Sequence, residues 1–137
     1  PGNNLIVTTP DTQSPTAPAG LTSSNITASS VTLNWSAATD NVSVTGYDVY
    51  QNGIKINPLP VAQTTFNVTG LITATSYSFY VRALDGAGNI SANSNTINIT
   101  TLDNIIPSAP ANLNATNVAS TSLTLNWTAA TDNVAVT

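Results

Sequence analysis

Apolar and polar residues alternate with a period of two along much of this chain. Val31, Leu33 and Trp35 share one face, with Thr32 and Asn34 on the other. Tyr47 and Val49 repeat the pattern, and Tyr77, Phe79, Val81 and Ala83 alternate with Ser78, Tyr80, Arg82 and Leu84. This periodicity marks strands with one buried face. A first strand is expected from Leu21 to about Ile26, a short one through Phe66 and Val68, and a last one through Ile97 and Ile99. Gln51-Asn52-Gly53-Ile54 reads as a hairpin, because Asn-Gly accepts the positive φ angles of a type I′ turn. Asp85-Gly86-Ala87-Gly88-Asn89 reads as a turn. The expectation is an all-β, seven-stranded sandwich of two sheets. Each large apolar side chain buried stabilises by about 1.5–3 kcal/mol, enough in sum to offset the chain entropy of roughly 90 residues.

An internal repeat organises the chain. Residues 5–45 align with 97–137 without a gap, at an offset of 92, and about half the positions are identical. Leu33-Asn34-Trp35 returns as Leu125-Asn126-Trp127, and Ala37-Ala38-Thr39-Asp40-Asn41-Val42 as Ala129-Ala130-Thr131-Asp132-Asn133-Val134. The expected organisation is a tandem array. Residues 1–10 would be the last strand of one unit, 14–102 a complete unit, and 107–137 the first strands of a third. Pro10 to Pro18 and Leu102 to Pro110 are the linkers, each with an aspartate followed by spaced prolines that stiffen a connection. Two strands alone leave Trp127 without cover. The expectation is that a longer chain of the same repeats completes them; strand exchange with a neighbouring chain is the alternative.

Composition narrows the function. Lys55 and Arg82 are the only basic residues, all six acids are aspartate, and there is no His, Cys, Met or Glu. Nucleic-acid binding needs a basic cluster that this chain lacks. No apolar run is long enough to cross a bilayer as a helix. Without His, Cys or Glu, the usual bases, nucleophiles and acids of catalysis are missing. Paired aspartates could serve a glycosidase only in a cleft, and a small sandwich with short loops is not expected to form one. This segment is therefore expected to be no enzyme.

The motifs carry a family resemblance. Leu33-Asn34-Trp35, Gly46-Tyr47-Asp48-Val49-Tyr50, and Gly70-Leu71 followed by Tyr77-Ser78-Phe79-Tyr80-Val81-Arg82-Ala83 resemble the fibronectin type III pattern. Thr39-Asp40-Asn41-Val42, Val44-Thr45-Gly46-Tyr47 and Asp85-Gly86-Ala87-Gly88-Asn89-Ile90-Ser91 resemble the modules of that family found in secreted bacterial polysaccharide-degrading enzymes and surface proteins. The resemblance implies the immunoglobulin-like sandwich, and it places Tyr77 at a tyrosine corner. Thr73-Ala74 stand where the family usually has Pro-Gly, and the integrin-binding tripeptide of some animal modules is missing from the Asp85 loop.

The same resemblance implies that the Asp40 and Asp85 loops share one end of the sandwich, where the chain also enters with Asp11. Oxygen-rich loops of this kind suit Ca²⁺, and Asp103 and Asp132 repeat the arrangement at the next junction. Calcium would stiffen the joint between modules. The competing reading is that these aspartates bond their own turns. Tyr50 and Tyr80 are expected on outward positions of neighbouring strands. They form either a platform for sugar rings, helped by Arg82 and Gln51, or a cross-strand pair that stabilises the sheet. Trp35 and Trp127 are core residues.

The leading functional expectation is an extracellular spacer or linker module in a multidomain secreted bacterial protein, a polysaccharide-degrading enzyme. A repeat of a surface adhesin or extracellular filament is one alternative, and a weak carbohydrate-binding module is another. Expected partners are neighbouring modules of the same or an adjacent chain, and polysaccharide in the third case.

Overall fold

The computed structural model describes residues 7–136. The strand expected over residues 1–10 falls largely outside them, and residues 7–10 are in no strand. Within residues 14–102 lie β1 (Ala19–Ser24), β2 (Ser30–Ser36), β3 (Val44–Gln51), β4 (Ile54–Lys55), β5 (Thr65–Thr69), β6 (Ser76–Asp85) and β7 (Ile97–Thr100). One sheet has the order β1-β2-β5 and the other β4-β3-β6-β7, with every pairing antiparallel. The first strand starts and ends two residues earlier than the alternation suggests. Asn25 takes a φ of 50° and so cannot continue an extended strand. Asn52 and Gly53 both have positive φ, the type I′ requirement at the β3–β4 turn.

The period-two residues meet between the sheets. Val31, Leu33, Val49, Phe79, Val81 and Ala83 are wholly buried, and Trp35 packs edge-on to Tyr47 with ring centroids 5.4 Å apart. Tyr47 Oη accepts the Ala38 N–H at 3.0 Å, so the ring is buried while its hydroxyl stays satisfied. Gly46 is fixed by a close approach: a Cβ there would lie 2.6 Å from Pro60 Cβ. It sits at the β3–β6 register shift, beside the Tyr47–Val61 bridge.

Tyr77 forms the corner despite the Thr73-Ala74 departure. Its Oη accepts the Ile72 N–H at 2.9 Å, and Ala74 takes the positive φ of 50° that a glycine would adopt more readily. Tyr77→Phe should therefore cost about 1 kcal/mol, read as a lower urea midpoint with an unchanged m-value.

Small polar side chains stand in for strand partners. Beyond β7, the Val81 and Ala83 N–H groups donate to Ser94 Oγ (3.0 Å) and Ser91 Oγ (2.8 Å). Asn95 accepts the Leu21 N–H and donates to the Leu21 carbonyl, which ties the β6–β7 connection to β1 and so links the two sheets. The chain's wealth of Ser, Thr and Asn thus supplies the buried backbone with hydrogen-bond partners.

Past the second linker, β8 (Ala111–Thr116) and β9 (Thr124–Thr128) form a two-stranded sheet in the same register as β1 and β2. Leu125 and Trp127 are 50% and 59% exposed there, against 0% and 6% for Leu33 and Trp35.

Candidate metal centre at the linker end of the sandwich

Three chain segments converge where the linker meets the sandwich. The loop after β2 carries Asp40, Asp85 is the last residue of β6, and the entering linker carries Asp11. One carboxylate oxygen from each lies within 4.8 Å of the others. Each segment is held by its own short polar bonds. Thr16 N–H donates to the Thr39 carbonyl, and Thr39 N–H to Thr16 Oγ1, both at 2.8 Å, which pins the linker to the Asp40 loop. Asn41 Nδ2 donates to Asp11 Oδ1 at 3.1 Å. Asn89 Nδ2 reaches Asp85 Oδ2 (2.6 Å), the Asp11 carbonyl (3.3 Å) and the Gln13 carbonyl (3.2 Å), joining the turn to the linker.

The turn-bonding expectation for the aspartates also holds. Asp40 Oδ2 accepts the N–H groups of Val42 and Ser43, and Asp85 Oδ1 those of Ala87 and Asn89. These bonds use one oxygen of Asp40 and leave the other. Asp40 Oδ1 is shut off from water and has no partner among the described residues. Asp85 is 5% exposed. Burial pushes its carboxyl upward, but donors from the Asn89 side chain and from the Asn89, Ala87 and Gly88 backbones outweigh it and hold Asp85 below the ordinary value.

Neither basic side chain offsets this cluster. Lys55 pairs with Asp48 at 2.8 Å, and Arg82 Nε donates to Asn93 Oδ1 at 2.6 Å. The matching residues 92 positions on repeat these bonds: Asn133 Nδ2 donates to Asp103 Oδ1 at 3.1 Å, Asp132 Oδ2 accepts from Val134 and Ala135, and Asp132 Oδ1 is buried with no partner among the described residues.

Tyr50 and Tyr80 do face each other across β3 and β6 on the outer side of the four-stranded sheet. Their rings stack with centroids 4.7 Å apart and 10° between planes, and the Arg82 guanidinium lies 5.8 Å from the Tyr50 centroid. One face of each ring is thus covered by the other, and the guanidinium lies over Tyr50. A groove lined by Gln51, Ile56, Phe66, Asn67, Val68 and Thr69 contains no carboxylate.

One buried network was not legible in the sequence. Asp48 and Asn57 are each 3% exposed. Asn57 Oδ1 accepts the Val49 N–H at 2.7 Å, and Nδ2 donates to the Tyr47 and Leu59 carbonyls at 3.0 and 2.8 Å. The only hint is the Asn57-Pro58-Leu59-Pro60 run, whose prolines cannot pair as a strand and so leave β3 to be met by a side chain.

Comparison with known proteins places these features. The model of the fibronectin type III domain family matches residues 16–100. Chitinase A1 of Niallia circulans is 48% identical over 132 residues, covering 93% of this chain and 19% of that protein. Exoglucanase B of Cellulomonas fimi is 43% identical over 130 residues, covering 92% of this chain and 12% of that protein. Among solved structures, chitinase ChiA74 from Bacillus thuringiensis superposes with a TM-score of 0.63 at 28% identity, covering 88% of this chain and 16% of that one. The chain thus spans less than a fifth of the length of each of these proteins.

Proposed function

Because this chain belongs to the fibronectin type III family, we propose that it is a non-catalytic extracellular spacer module of a secreted bacterial polysaccharide-degrading enzyme. The observation that carries this reading is the coverage. A chitinase and an exoglucanase each contain a region 43–48% identical to nearly all of this chain, yet that region is a small part of either hydrolase. The local chemistry agrees. The aspartates that cluster sit at a module junction with the linker bonded across them, and the aromatic pair on the sheet face is stacked on itself. A rigid body with pinned linkers sets a distance between the domains on either side. Those neighbouring domains are its partners.

Incubation of the purified chain with insoluble chitin and with cellulose tests this. No soluble sugar should be released, and retention should match that of an unrelated protein of similar size and charge. Sugar release would overturn the non-catalytic assignment. Retention that disappears in Tyr80→Ala would replace the spacer with a carbohydrate-binding module. Concentration-dependent self-association in light scattering would favour the adhesin or filament alternative.

A further inference from the structure

We propose that Asp11, Asp40 and Asp85 together hold one Ca²⁺, which clamps the entering linker to the end of the sandwich. The size of the cluster is that of a coordination sphere. Oxygens on opposite sides of a Ca²⁺ at about 2.3–2.6 Å are about 4.6–5.2 Å apart, and the three carboxylate oxygens lie within 4.8 Å of one another. All three are hard oxygen donors, and the chain has no His or Cys to favour zinc.

A cluster of acids alone would not be a site, but here one oxygen is left over. Asp40 Oδ1 is buried and unpartnered, a state that costs free energy unless something accepts its lone pairs. The turn explains Asp40 Oδ2, through Val42 and Ser43, and does not explain Oδ1. The same oxygen is orphaned in the repeat, at Asp132 Oδ1, beside the same Asn133–Asp103 bond. The turn bonds leave this oxygen without a donor in both copies, and in the sandwich Asp11 and Asp85 supply the two further carboxylates that complete a cation site. Three like charges at this distance also repel, and both basic side chains are engaged elsewhere. A divalent cation removes the repulsion and satisfies the orphan together.

The clamp joins parts that are far apart in sequence. Asp11 is in the linker, Asp40 follows β2, and Asp85 ends β6, a strand of the opposite sheet. Binding therefore ties the linker's direction to both sheets at once, beyond what Asn89 and Asn41 do by hydrogen bonds.

The test is thermal melting of the full chain, first in chelator and then in 10 mM calcium chloride, against a sodium chloride control of equal ionic strength. With a dissociation constant in the range of extracellular calcium modules, about 0.1–1 mM, the melting temperature should rise by about 5–15 °C. Asp11→Asn is the informative variant, since it lies outside both sheets and its amide oxygen can keep the Gln13 and Asn41 bonds. It should melt no lower than the parent in chelator, because repulsion falls, and should lose the calcium response. Asp48→Asn, distant from the cluster in the Lys55 pair, should retain that response. An equal rise in sodium chloride, no rise in calcium, or a full calcium response in Asp11→Asn would each overturn the proposal.

Discussion

Trp35→Ala should lower the unfolding free energy of the sandwich by about 3–5 kcal/mol, whereas Trp127→Ala should change it by less than about 0.5 kcal/mol. The two tryptophans sit in the same Leu-Asn-Trp motif, and what differs is the cover: a second sheet faces β2, and none faces β9 among the described residues. Trp35 is 6% exposed, packed edge-on to Tyr47 and covered by the β3–β6 sheet, so its removal leaves a cavity in a dense core. Trp127 is 59% exposed on a two-stranded sheet, and truncating it opens no cavity. Urea denaturation followed by far-ultraviolet circular dichroism checks both, since it does not depend on the tryptophan being removed. Comparable losses for the two variants would show that Trp127 is buried in solution.

Asn57→Ala is the other large effect, expected at about 1–3 kcal/mol. The side chain completes the pairing of β3 where Pro58 and Pro60 prevent a strand from doing so. Alanine strands the Val49 N–H, at about 1–3 kcal/mol for a buried donor that water cannot reach, while the Tyr47 carbonyl keeps the Val61 N–H and the exposed Leu59 turns to solvent. Asn57→Asp should be worse. It removes both donors and sets a second carboxylate beside buried Asp48, 3.4 Å from the present amide. Denaturant midpoints order the series, and an aspartate variant as stable as the parent would contradict this account of the network.

The calcium clamp separates by experiment from both. Its signature is a response to an ion, while the core and Asn57 variants shift stability at any calcium concentration. Loss of the spacer reading would leave the clamp untouched, because the carboxylate geometry does not depend on which domains flank the module.

Much of the fold was legible in the chain. Alternation over Val31–Trp35 and Tyr77–Ala83 identifies strands and their inward faces because side-chain direction in a strand is local. Asn52-Gly53 identifies its turn for the same reason, since the φ angles belong to those two residues. The first strand ends two residues before the alternation suggests because Asn25 leaves the extended conformation through its own backbone, a choice that periodicity does not encode. The corner at Tyr77 forms without Pro-Gly because Ala74 adopts the left-handed conformation itself.

The aspartates divide along the same line. The sequence showed which residues have calcium chemistry, and the repeat of Asp11 and Asp40 as Asp103 and Asp132 pointed to the junctions. Only the tertiary structure brought Asp11, Asp40 and Asp85 within 4.8 Å and left Asp40 Oδ1 buried without a partner. It also stacked Tyr50 on Tyr80 and set the Asn57 side chain against the β3 backbone. The physical reason is locality. Periodicity, turn chemistry and composition act over a few residues and can be read along the chain. A distance between residues 11 and 85, a ring's tilt, or a donor without a partner depends on how separate segments pack.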